Sequence, residues 1–184
     1  MRQFYMDTNV FIAQLKPDDP YYLEAKTIAQ QIQDNEIQAE TSVLTLVETA
    51  SVASRLYHAS KRGEKGNHRE RKAFTIKLLR RLTTLTTRFI HIAGDSPIAV
   101  RSIKTNLPEI FNEAIILSLQ TPLRTFDLMH LAAAKHAKQM NPELAAFVTG
   151  DGEFLSRKQE LSKIIKIAIL SPKEYVDALG LKQR

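Results

Sequence analysis

Residues 4–12 read FYMDTNVFI, and this stretch decides the fold. Apolar residues stand on both sides of Asp-Thr-Asn, which is typical of a β-strand that enters the core and ends at Asp7. In a parallel open sheet, ligands bind outside the carboxyl ends of the strands, so the Asp7 carboxylate is predicted to point into that crevice. Asp-Thr-Asn is also typical of a turn that caps a helix. This stretch alone leaves both interpretations open.

The rest of the chain alternates between short β-rich runs and segments with helical spacing of apolar residues. Strands are predicted at QFYM (3–6), EIQAET (36–41), RFIHIA (88–93), AAFVTG (145–150) and IIKIAIL (164–170). Helices are predicted from PDDP (17–20, with Asp19 as N-cap), from 43, over 69–86, from GDSP (94–97), over 109–120, from 125, and from the capping box SPKE (171–174). Strands alternating with helices imply parallel βαβ units, so one α/β domain over residues 1–184 is predicted, with its sheet covered on both faces.

Composition favours an ordinary globular domain. The chain has 184 residues, of which 43% are hydrophobic and 25% charged. It has no cysteine, which excludes disulfides and thiolate metal sites. No apolar run approaches the roughly 18 residues of a membrane span, and MRQFYMDTNV lacks the apolar region of a signal peptide. We therefore expect a cytoplasmic protein that does not enter a membrane.

Positive charge is concentrated in one segment. The net charge is +6, and residues 61–81 contain nine Lys or Arg against two acids. Residues 58–70 are predicted to form an exposed loop between two helices. A solvated helix face with an exposed loop is the favoured explanation of such a run, and a surface that binds phosphates is the alternative. The candidate phosphate contacts are Lys61, Arg62, Lys65, Arg69, Arg71 and Lys72.

Three further acids stand where such a sheet would present them at the same edge as Asp7. Glu48 lies at the margin of a buried helical stripe, Asp127 in the first turn of a helix, and Asp151 just beyond a buried strand. A surface glutamate, a helix-dipole partner and an N-cap explain them one by one without any function. Glu153 is either a further participant or a first-turn dipole partner.

Taken together, the four acids are harder to explain as structure alone. At 4 Å and an effective dielectric constant near 20, each like-charged pair costs about 4 kcal/mol. Such a cluster must take up protons or bind cations. Oxygen ligands without cysteine favour Mg²⁺ or Mn²⁺, and the five histidines show no zinc ligand pattern.

Four motifs in order resemble those of PIN-domain ribonucleases: MDTNVFI, TLVE, FDLMHLAAA and FVTGDGEFL, followed by LSPKEYVDAL. The resemblance spans nearly the whole chain. It implies a three-layer α/β/α sandwich with a mainly parallel sheet of about five strands. It places the acidic quartet of the family, which holds Mg²⁺ or Mn²⁺, on Asp7, Glu48, Asp127 and Asp151, and its small polar positions on Asn9 and Thr149.

The resemblance also implies a function. Many relatives are toxins of toxin–antitoxin pairs (VapC-like), which cleave RNA and dimerise, so we expect a metal-dependent endoribonuclease with an antitoxin partner that forms a homodimer. The chain is longer than the compact toxins, and the basic segment 58–81 resembles an enlargement. Two alternatives stay open, a structure-specific DNA nuclease and a PIN domain that binds RNA or protein without catalysis. A haloacid-type phosphatase is disfavoured because DTNV lacks a second aspartate.

Overall fold

The computed structural model describes residues 2–60, 67–90, 95–97 and 106–181. Its main sheet has five parallel strands in the order β3-β2-β1-β6-β7. Their bounds are β1 Arg2–Met6, β2 Ile37–Ser42, β3 Arg88–Ile90, β6 Leu144–Val148 and β7 Ala168–Leu170. A separate antiparallel pair is formed by β4 Asp95–Pro97 and β5 Asn106–Pro108.

Helices connect the strands of the main sheet. Their bounds are α1 Thr8–Ala13, α2 Tyr22–Gln33, α3 Leu44–Ser60, α4 His68–Thr84, α5 Glu109–Ser118, α6 Thr125–Met140, α7 Gly152–Ser156, α8 Lys158–Ile165 and α9 Pro172–Leu179. None of the helices in these described ranges is long and apolar enough to cross a membrane.

The sheet buries both of its faces, as a three-layer sandwich requires. On β1, Tyr5 belongs to one hydrophobic cluster, which also contains buried residues of α5, α6 and α8. Its neighbours Phe4 and Met6 belong to a second cluster, with residues of α1, α2 and α9. Because successive side chains of a strand point to opposite faces of the sheet, the one apolar run of β1 contributes residues to both clusters. The predicted three-layer α/β/α sandwich with a mainly parallel sheet is confirmed.

The central strand β1 sets the position of the site. It pairs with β2 on one side and β6 on the other, so the strand order changes direction there. Met6 lies opposite Val148 in the register. The backbone N–H of Asp7 continues the ladder by donating to the Val148 carbonyl at 3.1 Å. The turns that follow β1 and β6 therefore meet at the carboxyl edge of the sheet.

Several local predictions were wrong. The segment GDSP contributes a short strand, β4, where a helix was predicted. Helix α2 begins at Tyr22, and its N-cap is Tyr21, not Asp19. The Asp19 carboxylate instead accepts a hydrogen bond from the backbone N–H of Tyr21 in the turn before the helix. IIKIAIL is divided at Lys166, whose left-handed φ of 56° ends α8 before β7 begins.

Part of the segment predicted as a loop at 58–70 is helical. Residues 58–60 continue α3, and α4 begins at His68 with Asn67 as its N-cap, whose side chain accepts from the Arg69 N–H. Residues 61–66 lie outside the described residues, as do residues 91–93 of the predicted strand RFIHIA. The capping box of Ser171 and Glu174 is present as predicted.

Candidate active site

A cavity opens at the carboxyl edge of the sheet, between the turn after β1, helices α3 and α6, and the turn after β6. All four predicted acids line it, and Asn9 does so as well. Its described lining is Asp7, Thr8, Asn9, Ile12, Lys16, Val47, Glu48, Ser51, Val52, Arg55, Phe126, Asp127, His130 and Asp151.

Asp7 is the most deeply placed of these acids, with 5% of its surface exposed. Its Oδ2 accepts a hydrogen bond from Asn9 Nδ2 and another from Thr149 Oγ1, each at 2.7 Å. Burial raises the pKa of Asp7, and the nearby His130 charge and the Thr149 hydroxyl oppose this only in part. A buried carboxylate held in one orientation, with a raised pKa, is suited to a cation partner.

Asn9 and Thr149 also tie together the two turns that carry Asp7 and Asp151. Asn9 Oδ1 accepts from the Gly150 N–H at 2.7 Å, and Thr149 Oγ1 accepts from the Asp151 N–H at 3.0 Å. These contacts fix the backbone on which the acids stand. Asp151 itself caps α7, since its Oδ1 accepts from the Glu153 N–H at 2.7 Å. The capping interpretation of Asp151 is correct, and the same side chain also faces the cavity.

Gly150 leaves room for the ring of Tyr21 beside the turn after β6. A Cβ at this position would lie 3.0 Å from Tyr21 Cδ2 and 3.4 Å from Asn9 Oδ1. The glycine of the sequence VTGDG therefore permits the close approach of the Tyr21 ring.

Glu48 reaches the cavity from the first half of α3. Its Oε2 accepts hydrogen bonds from the Thr8 hydroxyl and, at 2.8 Å, from His130 Nε2. Burial acts to raise the pKa of Glu48, but the hydrogen bond and the charge of His130, together with the hydrogen bond from Thr8, outweigh burial and hold the pKa below its usual range. Glu48 is therefore an ionised, oriented carboxylate.

His130 also lines the cavity, although the sequence analysis did not place it among the site residues. It is 2% exposed, and its Nδ1 lies 2.9 Å from the Tyr5 hydroxyl. Burial acts to lower the pKa of His130, whereas the hydrogen bond to Glu48 and the charge of Asp7 raise it above its usual value. The signal in the sequence was its position three residues after Asp127, which places both on one helical face.

Asp127 lines the cavity from the first turn of α6. Burial and the negative charges of Asp151, Asp7 and Glu153 raise its pKa from 3.8 to about 6. The charge of Glu48 likewise acts to raise the pKa of Asp7. A cation bound in the cavity would lower the repulsion between these carboxylates.

The family model of the PIN domain matches residues 4–160. The chain belongs to the PIN domain family. PIN domains are usually Mg²⁺-dependent nucleases that act on nucleic acids, so the chain belongs among the metal-binding hydrolases. No curated protein and no solved structure matches the chain.

The donor set of this PIN domain fits a divalent ion. Ligand atoms of Asp7, Glu48 and His130 lie within 4.8 Å of one another. Two carboxylates and an imidazole suit a divalent transition metal, and the carboxylates alone suit Mg²⁺. The oxygen-only ligand set predicted from the sequence stays a prediction. In the present geometry His130 Nε2 donates to Glu48, so it orients that carboxylate.

None of the three predicted basic contacts that the structure describes lines this cavity. Lys61, Arg62 and Lys65 are outside the described residues. Arg69, Arg71 and Lys72 lie in the first turns of α4, where Arg71 Nη1 is 3.4 Å from His58 Nε2.

Two other basic residues, Lys16 and Arg55, line the cavity, and the sequence analysis missed both. Arg55 follows Glu48 by seven residues on α3, which is two helical turns and hence the same face.

Glu153 is partly exposed, and its Oε2 lies 3.9 Å from Arg124 Nε.

Proposed function

We propose that this PIN domain is a metal-dependent endoribonuclease that hydrolyses RNA phosphodiester bonds. The observation that carries the proposal is the convergence of four acids in one cavity, at the carboxyl edge of the sheet. Membership of a family of metal-dependent nucleases supports it. The proposed catalytic and metal-binding residues are Asp7, Glu48, Asp127 and Asp151.

Mg²⁺ or Mn²⁺ would be held by these carboxylates, and when bound it would activate a water and stabilise charge on the phosphate. The protein supplies the orientation of the ligands. Asn9 and Thr149 fix Asp7 through its Oδ2, and Thr8 and His130 fix Glu48 through its Oε2. Glu153 is proposed as a supporting acid beside Asp127, whose pKa its charge helps to raise.

For the rest of the substrate we propose a basic path that leaves the cavity along α3. Arg55 stands two turns from Glu48, and His58, which contacts Arg71, lies ten residues from Glu48, or about 15 Å along the helix. The segment 58–81 would be a basic insertion in a single domain, 1–184. Its phosphate contacts would be Lys61, Arg62, Lys65, Arg69, Arg71 and Lys72. Such contacts position the chain without identifying bases.

The test is cleavage of single-stranded RNA, single-stranded DNA and a structured DNA, assayed side by side with Mn²⁺, Mg²⁺ or EDTA. We expect RNA cleavage that EDTA abolishes and that Asp7→Asn reduces by orders of magnitude. Faster cleavage of structured DNA would favour the DNA nuclease. Tight RNA binding without turnover by the metal-loaded protein would favour a non-catalytic PIN domain.

The proposal extends to a toxin that an antitoxin inhibits, to a homodimer and to a cytoplasmic location. The toxin role and the homodimer rest on the resemblance of the motifs to toxin relatives, and the cytoplasmic location rests on the composition, which has no cysteine and no long apolar run. Growth arrest on induced expression, relieved by a co-expressed neighbouring gene, tests the toxin role. Light scattering tests the dimer, with a monomer mass as the contradicting result.

A further inference from the structure

An exposed aromatic ring stands at the mouth of the acidic cavity. Phe126 is 51% exposed although it directly precedes Asp127 in the first turn of α6. Val47, beside Glu48 on α3, is 61% exposed and lines the same cavity. Single exposed apolar residues are ordinary on protein surfaces. Here, each one is the chain neighbour of a proposed metal ligand, so anything bound at the acids also meets this apolar surface.

The same cavity contains positive charge. Lys16, just beyond α1, and Arg55 on α3 both line it. The cavity thus combines three surfaces: acids for a cation, cations for phosphates, and a ring with an open face. Unpaired bases stack on aromatic side chains, whereas bases in a duplex are already stacked on each other.

We propose that Phe126 stacks against an unpaired base next to the scissile phosphate while Arg55 and Lys16 bind the adjoining phosphates, so that the site selects single-stranded nucleic acid. The inference deepens the proposed function and rests on the same cavity. A purely apolar partner, such as a protein helix, fits less well, because two cations and four acids line the same cavity as the ring.

The chain contains no tryptophan, which permits a direct test. Phe126→Trp introduces a single fluorophore at the proposed stacking position, in an Asp127→Asn background that prevents cleavage. Leu119→Trp in the same background is the matched control, because Leu119 is 78% exposed at the end of α5 and does not line the cavity. The probes are a single-stranded RNA oligonucleotide, the DNA of the same sequence, and each strand annealed to its complement.

We expect saturable quenching of the Phe126→Trp emission by the single strands, weak quenching by the duplexes, and no change in the control. Phe126→Leu should weaken binding of the single strands roughly tenfold, with little effect on duplex binding. Equal quenching by duplex and single strand, or unchanged binding by Phe126→Leu, would overturn the inference. A blue shift that depends only on protein concentration would also overturn it, because it would assign the ring to a contact between copies of the chain.

This result is separable from the proposed function. Quenching by single strands together with a metal-loaded wild-type protein that never cleaves would support the stacking role and refute the nuclease. RNA cleavage by a Phe126→Leu protein with unchanged preference for single strands would refute the stacking role and leave the nuclease intact.

Discussion

Replacing Asp127 by asparagine should stabilise the metal-free protein at neutral pH. The pKa of Asp127 is raised from 3.8 to about 6 by burial and by the neighbouring charges of Asp151, Asp7 and Glu153. Because the folded state holds this proton more tightly than the unfolded chain, stability falls as the pH rises from about 4 to 6. Above that range the folded protein carries an unfavourable charge.

The size of the effect follows from the pKa. At about 1.4 kcal/mol for each pH unit, the difference corresponds to about 3 kcal/mol. The side chain is partly exposed, so solvent screening reduces this to about 1–2 kcal/mol. The loss of a favourable charge in the first turn of α6 subtracts a few tenths of a kcal/mol more.

The assay is urea unfolding in EDTA at pH 7.5 and at pH 4. Asp127→Asn should exceed the wild type by about 1 kcal/mol at pH 7.5 and lose this advantage at pH 4. Asp177→Asn, which removes an exposed carboxylate outside the cavity, serves as the control and should change little. Saturating Mn²⁺ should reverse the order, because the ion stabilises only the form that binds it. A metal-free Asn variant that is no more stable than the wild type at pH 7.5 would refute the reasoning.

Three further substitutions probe the scaffold of the site. Thr149→Val removes the hydroxyl that serves two backbone turns, and urea unfolding should show a loss of about 1–3 kcal/mol that Thr149→Ser largely restores. His130→Phe leaves Glu48 without its imidazole donor and should lower Mn²⁺ affinity about 10- to 100-fold by isothermal titration calorimetry; unchanged affinity would exclude the positioning role. Gly150→Ala should cost about 1–3 kcal/mol, because its Cβ would meet an atom at 3.0 Å, whereas Gly152→Ala, with nothing within 4 Å, should be neutral or stabilising; equal effects at both glycines would contradict the account.

The parts of the fold that depend on local pattern were predictable. The apolar runs predicted strands β1 and β6, and the periodic spacing of apolar residues predicted helix α6. In each case the pattern is contained within one short stretch of the sequence. The capping box at Ser171 is likewise a local signal, and it forms as predicted. Asp7 and Asp151 come just after the predicted strands β1 and β6, so both could be expected to lie at the carboxyl edge of the sheet.

The errors arose where distant residues decide the outcome. GDSP has the composition of a helix start, but Asp95–Pro97 pair with β5, whose partner residues lie 9 to 13 positions further along the chain. His130 contacts Tyr5 across 125 residues and Glu48 across 82, and no spacing rule links such positions. Arg55 lines the cavity because it lies two helical turns after Glu48 and so on the same face of α3. The sequence analysis looked for charges that are close together in the sequence, and Arg55 is not one of them.

The most direct test of the central claim is a crystal of the wild-type protein soaked in Mn²⁺, with anomalous diffraction recorded to locate the ion. We expect an anomalous peak within about 2.0–2.4 Å of carboxylate oxygens of Asp7 and Asp127, with Glu48 as a direct ligand or as a partner through water. Asp127→Asn crystals treated in the same way should lose or weaken the peak. An anomalous peak elsewhere on the protein, with none in this cavity at saturating Mn²⁺, would contradict the account.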